Sequence, residues 1–144
     1  MVHYRDNWYL DGWCHLRDGL RSFSLDCVRE AKPRAKAAID VPEAELDAIL
    51  GAGYGIFSGR ATDWAKLRFT PERARWLATE EWHPRQKGRF EEDGSYLLEL
   101  PYADPRELVM DILRHGPQVE VLEPAALRAA VRSQLEAAAA RYGS

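Results

Sequence analysis

The spacing of apolar residues downstream of Trp64 is the feature that most restricts the fold of this chain. From Trp64 to Phe69, apolar and polar residues alternate, with Ala65 among those on the apolar face, which is typical of a strand with one buried side. Thr70-Pro71 then starts a helix in the preferred way, with a hydroxyl at the capping position and a proline at the first helical position. The pattern therefore predicts a strand followed directly by a helix.

The remaining elements follow in a definite order. A hairpin is predicted from Gln86 to Leu100, and a second helix behind Asp104, which stops at Gly116-Pro117. A last strand over 119–122 and a final helix from Pro124 complete the series. The order βαββαβ with a trailing helix is typical of a ferredoxin-like α+β sandwich, which we predict for residues 61–144.

The bulk composition excludes several classes of protein. The chain has 144 residues, of which 46% are hydrophobic and 30% charged, as in an ordinary globular protein of one domain or two small ones. Nothing resembles a signal peptide or a membrane span of about 20 residues, so we expect a cytoplasmic protein with no membrane partner. The formal net charge of −3 means that any contact with nucleic acid must come from a local patch.

The N-terminal part predicts a β hairpin. Two runs rich in aromatic and β-favouring side chains, Trp8–Leu16 and Leu20–Val28, flank Arg17-Asp18-Gly19. A two-residue Asp-Gly turn needs positive φ at both positions and would set Leu16 opposite Arg21. The same register sets Asp11 opposite Asp26, an unfavourable pair that a bulge at Gly12 would relieve.

The predicted hairpin has two unlike faces. We expect one face to be core, formed by Leu10, Cys14, Leu16, Phe23, Leu25 and Cys27. The other carries Tyr9, Trp13, His15, Arg17, Ser22 and Ser24. Aromatic rings with cations and hydroxyls can stack bases and hold phosphates, although the same mixture also occurs on hairpins for solubility and packing alone.

A linker is predicted between the hairpin and the ferredoxin-like domain, over 32–60. Lys32, Pro33, Arg34 and Lys36 break the strand pattern, and a short helix is expected to begin at Asp40, at capping-box spacing from Glu43. Four glycines then predict a loop: Gly51, Gly53, Gly55 and Gly59. The hairpin unit is assigned to residues 1–31.

The spacing of residues in the sequence indicates neither a catalytic site nor a metal site. Strand alternation points Cys14 and His15 to opposite faces, so the two side chains cannot hold one ion together. No spacing indicates a Ser-His-Asp or Cys-His nucleophile. We therefore predict a chain that is not an enzyme and has no cofactor and no metal site.

A second candidate surface lies on the ferredoxin-like sheet. Trp64, Lys66 and Arg68 alternate on the predicted solvent side of one strand, and Arg85, Lys87 and Arg89 line another. Sheets of this topology can bind single-stranded RNA through aromatic and cationic side chains. A dimer interface or a docking surface for the hairpin unit is the alternative, which we favour.

Several short segments together resemble one protein family. Asn7-Trp8-Tyr9-Leu10, Trp13-Cys14-His15-Leu16 and Leu20-Arg21-Ser22-Phe23-Ser24-Leu25-Asp26 resemble the WYL domain. Tyr54-Gly55-Ile56-Phe57, Trp82-His83-Pro84 and Val119-Glu120-Val121-Leu122-Glu123-Pro124 resemble the C-terminal extension domain that commonly follows it. Each piece is short, and the resemblance rests on the set.

The resemblance implies a fold and a function for the hairpin. It implies part of an SH3-like or Sm-like β barrel, in bacterial transcription regulators that carry a helix-turn-helix and sense nucleic acid, notably single-stranded DNA. The family's Trp-Tyr-Leu falls on Trp8, Tyr9 and Leu10, and its basic strand residue on Arg21. Family members tend to have a basic residue where this sequence has Cys27, which weakens the implied affinity.

These points define the predicted site and partners. The helix-turn-helix and the opening barrel strands are missing from the sequence, so we expect a homodimer, with strand exchange as one route to it. The expected effector is single-stranded nucleic acid or a nucleotide-like molecule, and a ligand-free dimerisation module is the alternative. The predicted binding residues are Tyr9, Trp13, His15, Arg17, Arg21 and Ser22.

Overall fold

The computed structural model describes residues 1–4, 6–50 and 63–143 of the protein. The chain forms two compact units, Met1–Ile49 and Leu50–Ser144. The predicted Gly-rich loop, with Gly51 and Gly55, lies outside the described residues, as does the family segment around Tyr54. The predicted boundaries after residues 31 and 60 therefore stay predictions.

The first unit contains a three-stranded antiparallel sheet in the order β1-β2-β3. The strands are β1 (Val2–Tyr4), β2 (Asn7–Cys14) and β3 (Gly19–Ser24), and a single 3-10 turn at Leu25–Cys27 follows β3. Helix α1 (Glu43–Leu50) begins three residues after the predicted start at Asp40. The helix starts there because the carbonyl of Pro42 accepts its first hydrogen bond, from the backbone N–H of Leu46 at 3.1 Å.

The predicted two-residue turn of the hairpin is wrong. Cys14 pairs with Gly19 and Trp13 with Leu20, so four residues, 15–18, join the strands. Asp18 is the loop residue in the left-handed region, with φ of 47°, a conformation that aspartate tolerates better than most residues. An Asp-Gly pair thus marked the place of the turn but not its length.

The register error moves each partner by four residues along the opposite strand. Because this shift is even, every predicted side chain that lies within β2 or β3 keeps its predicted face. Asp11 lies opposite Ser22, whose hydroxyl donates a hydrogen bond to the Asp11 carboxylate, and not opposite Asp26. Gly12 pairs regularly with Arg21, so the predicted bulge at Gly12 is absent from the described hairpin.

The second unit contains a four-stranded antiparallel sheet with helices. Its elements, in chain order, are β4 (Asp63–Phe69), α2 (Pro71–Leu77), β5 (Lys87–Phe90), β6 (Tyr96–Tyr102), α3 (Pro105–Leu113), β7 (Val119–Glu123) and α4 (Ala125–Arg141). The strand order is β5-β6-β4-β7. This order, with the connection βαββαβ and a trailing helix, is the ferredoxin-like topology. The predicted α+β class is confirmed.

The core of the second unit lies on one face of its sheet. Residues at alternate positions of β4 face the helices, and Ala65, Leu67 and Phe69 are each 0% exposed. Their partners on β6 are Leu100, Leu98 and Tyr96 respectively, all buried. Helices α2, α3 and α4 contribute further buried side chains: Ala74, Leu77, Leu108, Ile112, Leu127 and Val131.

Local capping fixes where the helices begin. The Thr70 hydroxyl accepts from the backbone N–H of Arg73 at 3.5 Å, and the Asp104 carboxylate accepts from that of Arg106 at 2.9 Å. Helix α3 ends at Leu113, and Gly116 follows in the left-handed region with φ of 53°. Both helices thus have the N-terminal caps that the sequence predicts.

Candidate nucleic-acid interface

One face of the first sheet is exposed, and we call it the outer hairpin face. Strand pairing places His3 opposite Trp8, Leu10 opposite Phe23, and Gly12 opposite Arg21 on this face. The exposed fractions are 52% for Trp8, 42% for Leu10 and 40% for Phe23. The rings of His3 and Trp8 lie 4.8 Å apart between centroids. Two aromatic side chains, an imidazole and a guanidinium thus share one accessible surface.

The opposite side of the sheet, the inner hairpin face, is the more buried one. It carries Tyr9, Trp13 and Ser22, which are half-buried, together with Leu20, which is 7% exposed. The predicted core face is therefore wrong, since Leu10 and Phe23 lie on the accessible side. The prediction took the face rich in aliphatic side chains as the core, whereas the rings of Tyr9 and Trp13 carry large apolar areas that favour burial.

The six predicted binding residues do not share one face. Tyr9, Trp13 and Ser22 lie on the inner hairpin face, and the exposed His15 and Arg17 lie in the loop between β2 and β3. Arg21 lies on the outer hairpin face and donates from Nη1 to the carbonyl of Leu20 at 2.7 Å.

Sequence reasoning missed His3, Trp8 and Phe23 as accessible rings. The prediction grouped Phe23 with Leu10, and the same alternation extended back along the strand puts Trp8 on that face, which was the signal that could have found these rings. The prediction assumed that the face bearing Leu10 would be covered.

A basic segment follows the hairpin immediately. Residues 29–36 contain Arg29, Lys32, Arg34 and Lys36 but a single carboxylate, Glu30. All eight residues are exposed, and Lys32 pairs with Glu30 at 2.7 Å. Four cations on eight accessible residues give the local positive charge that the whole chain lacks.

The outer face of the second sheet carries its own charged side chains. Glu120 binds Arg68 at 2.8 Å and Arg128 at 3.0 Å, and these hydrogen bonds lower the pKa of its carboxyl group. The ammonium of Lys87 lies 5.1 Å from the ring centroid of Trp64. On this face Glu120 is thus held by two arginines, and Lys87 lies over an aromatic ring.

One residue predicted for the second sheet lies elsewhere. Arg85 precedes β5, which begins at Lys87, and its backbone N–H donates to Nδ1 of the buried His83 at 3.0 Å. The turn between α2 and β5 takes up more residues than the alternation pattern indicated.

The described residues hold no cluster of three or more His, Cys, Asp or Glu side chains that could bind a metal ion. Cys14 is half-buried and Cys27 exposed, and both are free thiols. No described helix is long and apolar enough to cross a membrane.

Comparison with known proteins matches each unit to a domain family. Residues 61–139, more than half of the chain, match the WCX domain. Residues 1–33 match the WYL domain. The two matches fall on the second sheet with its helices and on the three-stranded sheet, respectively.

Individual relatives agree with the domain matches. Protein PafC of Mycobacterium tuberculosis, in strains CDC 1551 / Oshkosh and ATCC 25618 / H37Rv, is 30% identical over 135 residues. That match covers 93% of this chain but 41% of PafC. The solved structure of proteasome accessory factor B/C (PafBC) of Arthrobacter aurescens is similar with a TM-score of 0.50 and 29% identity, covering 96% of this chain and 21% of that one. With a WYL domain followed by a WCX domain, the chain belongs to the WYL-domain transcriptional regulator family.

Proposed function

We propose that this chain is the effector-sensing part of a transcriptional regulator and that its hairpin binds single-stranded nucleic acid. The observation that carries the proposal is the outer hairpin face, where Trp8 and Phe23 are accessible beside Arg21. The family to which the chain belongs is one of transcription regulators, which favours a binding role over an enzymatic one. In a regulator that carries a helix-turn-helix domain, the bound strand would control DNA binding by that domain.

The chemistry of the outer hairpin face suits a single strand better than a duplex. Unpaired bases can stack on Trp8, Phe23 and His3, and stacking on an aromatic side chain contributes about 1–3 kcal/mol per base. A duplex keeps its bases stacked inside, so it offers no free base face for an aromatic ring to stack on. Arg17 and Arg21, with the basic segment 29–36, supply the cations for the phosphates of the strand.

The first experiment is a fluorescence-anisotropy titration of a labelled single-stranded oligonucleotide, with the matching duplex as control. We expect tighter binding of the single strand, and we expect Trp8→Ala and Phe23→Ala each to weaken it about five- to a hundredfold. Trp76→Ala is the matched control, because Trp76 is 67% exposed on helix α2 of the other unit. Equal affinity for all three variants and the unmodified chain would remove the outer hairpin face as the binding site.

Salt dependence tests the cations separately. Replacing Arg17 or Arg21 with alanine should reduce the slope of log affinity against log salt by about 0.7 for each phosphate that the variant no longer neutralises. The same titration decides the roles of Tyr9, Trp13, His15 and Ser22, which stay predicted ligand contacts. Larger losses for Tyr9→Ala and Trp13→Ala than for Trp8→Ala would place the ligand on the inner hairpin face.

We also propose that the chain forms a homodimer, through which binding is passed on. A ligand-free dimerisation module is the second candidate function, and the charged outer face of the second sheet favours it. The titrations separate the two, since a dimerisation module would bind neither oligonucleotide at any salt concentration.

A further inference from the structure

Four charged side chains lie at successive paired positions across the outer face of the second sheet, and we call this set the charge row. The register of β4 and β7 shifts between Lys66 and Leu67, so the pairing is irregular at the β7 end of the row. Glu99 on β6 pairs with Lys87 on β5 on one side and with Lys66 on β4 on the other. Lys66 in turn pairs with Glu123 on β7. In the strand order β5-β6-β4-β7, the signs therefore run positive, negative, positive, negative.

The charge row is accessible and poorly neutralised. Lys87 and Glu123 are exposed, and Lys66 and Glu99 are half-buried. Within the described residues no salt bridge joins these four side chains to each other or to a neighbour. Lys87 lies over the Trp64 ring, and none of the four charges is neutralised by an ion pair with another described residue of its own copy.

A row of charges that alternate in sign is complementary to a second copy of the same row that runs in the opposite direction. A two-fold axis between β4 and β6, parallel to the strands, would lay the face of one copy on that of another in reversed strand order. Lys87 of one copy would then meet Glu123 of the other, and Lys66 would meet Glu99. All four contacts of the row would join opposite charges.

The neighbouring rows obey the same rule. In the row of Arg89, Leu97, Arg68 and Glu120, the reversal sets Arg89 against Glu120, and Arg68 against the apolar Leu97. At the end of the sheet the row holds the uncharged Trp64 and Pro101, of which Trp64 is exposed and Pro101 is buried within its own copy. No like charges meet in any of the three rows.

We propose that the outer face of the second sheet is the contact surface between two copies of this chain. The proposal gives a surface to the homodimer proposed above and rests on it. Single-stranded RNA is a poorer occupant, because the three rows hold four cations and three carboxylates and thus little net charge for phosphates. A second copy supplies a charge of opposite sign for each member of the charge row.

The area of this face sets the affinity that we expect for the proposed dimer. Four strands spaced about 4.8 Å apart and about five residues long cover roughly 19 Å by 17 Å. That footprint of about 320 Å² per copy is below the roughly 600–1,000 Å² per partner that stable, specific interfaces bury. We therefore expect a weak dimer that dissociates at about a hundred micromolar and weakens as salt rises.

Charge reversal with mixing tests the surface. Lys66→Glu and Glu99→Lys each create two like-charge contacts across the proposed axis, so each variant alone should dimerise at least tenfold more weakly. Mixed in equal amounts they should form a one-to-one heterodimer, because Glu at 66 then meets Lys at 99 in one contact and the unmodified Glu99 meets the unmodified Lys66 in the other. The double variant Lys66→Glu/Glu99→Lys keeps opposite charges facing each other and should dimerise like the unmodified chain.

Analytical ultracentrifugation at low salt, up to several hundred micromolar chain, measures each species, and circular dichroism checks that each variant is folded. Glu81→Lys is the matched control, an exposed charge reversal outside the sheet. If both single variants dimerise normally, or their mixture does not associate, this face is not the interface, although the homodimer itself stands. A monomeric unmodified chain overturns the dimer as well, whereas the oligonucleotide titrations test nucleic-acid binding independently.

Discussion

Replacing Gly88 on the edge strand β5 with alanine brings in two physical effects that change the free energy of unfolding in opposite directions. A Cβ at Gly88 would overlap the Tyr96 hydroxyl and lie 2.5 Å from its Cζ, because the Tyr96 ring crosses the glycine. Glycine inside a strand is otherwise unfavourable, and alanine would gain about 0.5–1 kcal/mol from the reduced backbone freedom of the unfolded chain. Gly88 is not in the left-handed region, so its backbone accepts alanine.

The destabilisation from the steric overlap should outweigh the stabilisation from the lower entropy of the unfolded chain. Normal carbon contacts are about 3.5–4.0 Å, so the ring would have to move by more than about 1 Å. Tyr96 is 7% exposed and packs edge-on against Phe90, with ring centroids 5.1 Å apart. Displacing such a ring forces it from its rotamer and opens part of the core, which costs about 1–3 kcal/mol. We expect Gly88→Ala to lower the unfolding free energy by about 1–2 kcal/mol net.

Urea and thermal unfolding measure this change. A loss of about 1–2 kcal/mol should lower the melting temperature of a unit of this size by roughly 4–16 °C. Combining Gly88→Ala with Tyr96→Leu removes the ring, and in that background the alanine should be neutral or stabilising. A Gly88→Ala variant as stable as the unmodified chain, with no coupling to Tyr96→Leu, would refute the packing argument.

Two further predictions concern stability. Burial, with the positive charge of Arg73 second, lowers the pKa of His115 below its unfolded value of about 6.5. The stability that depends on a neutral His115 is therefore present above about pH 6.5 and is lost as the pH falls through the folded pKa. His115→Phe removes this titration, so it should flatten the fall in unfolding free energy between about pH 7 and 5. A pH profile of stability that does not change in this variant would contradict the argument. Asp104→Ala should cost about 1 kcal/mol in urea unfolding, whereas Asp104→Asn, which keeps an acceptor for the N–H of Arg106, should cost clearly less; equal losses would count against capping.

The second unit was predictable because several local signals there agree. Alternation over β4 identified Ala65, Leu67 and Phe69 as buried, and it succeeds because one face of that strand packs on helices and the other meets solvent. Thr70 and Asp104 each precede a proline and cap the helices that follow. The pairing order β5-β6-β4-β7 then follows from the topology that these elements allow.

The hairpin was less predictable because its register depends on the length of the turn. The dipeptide Asp18-Gly19 suits both a two-residue turn and the end of a longer loop, and the observed loop uses Asp18 alone in the left-handed region. Alternation still placed Trp8 and Phe23 on one face, but alternation does not tell which face is buried. That choice depends on packing partners, which local sequence does not encode.

The two candidate surfaces differ in a way that bears on how a sensor could work. The outer hairpin face and the basic segment 29–36 combine accessible rings with excess positive charge, which suits a ligand of bases and phosphates. The outer face of the second sheet is nearly neutral but ordered in sign, which suits a copy of itself. A ligand can shift the dimer only by the difference between its affinities for dimer and monomer, and by linkage the dimer must change ligand affinity by the same factor. Regulation through this chain therefore requires the oligonucleotide to distinguish the two oligomeric states, because binding with equal affinity to both would occupy the hairpin without conveying a signal.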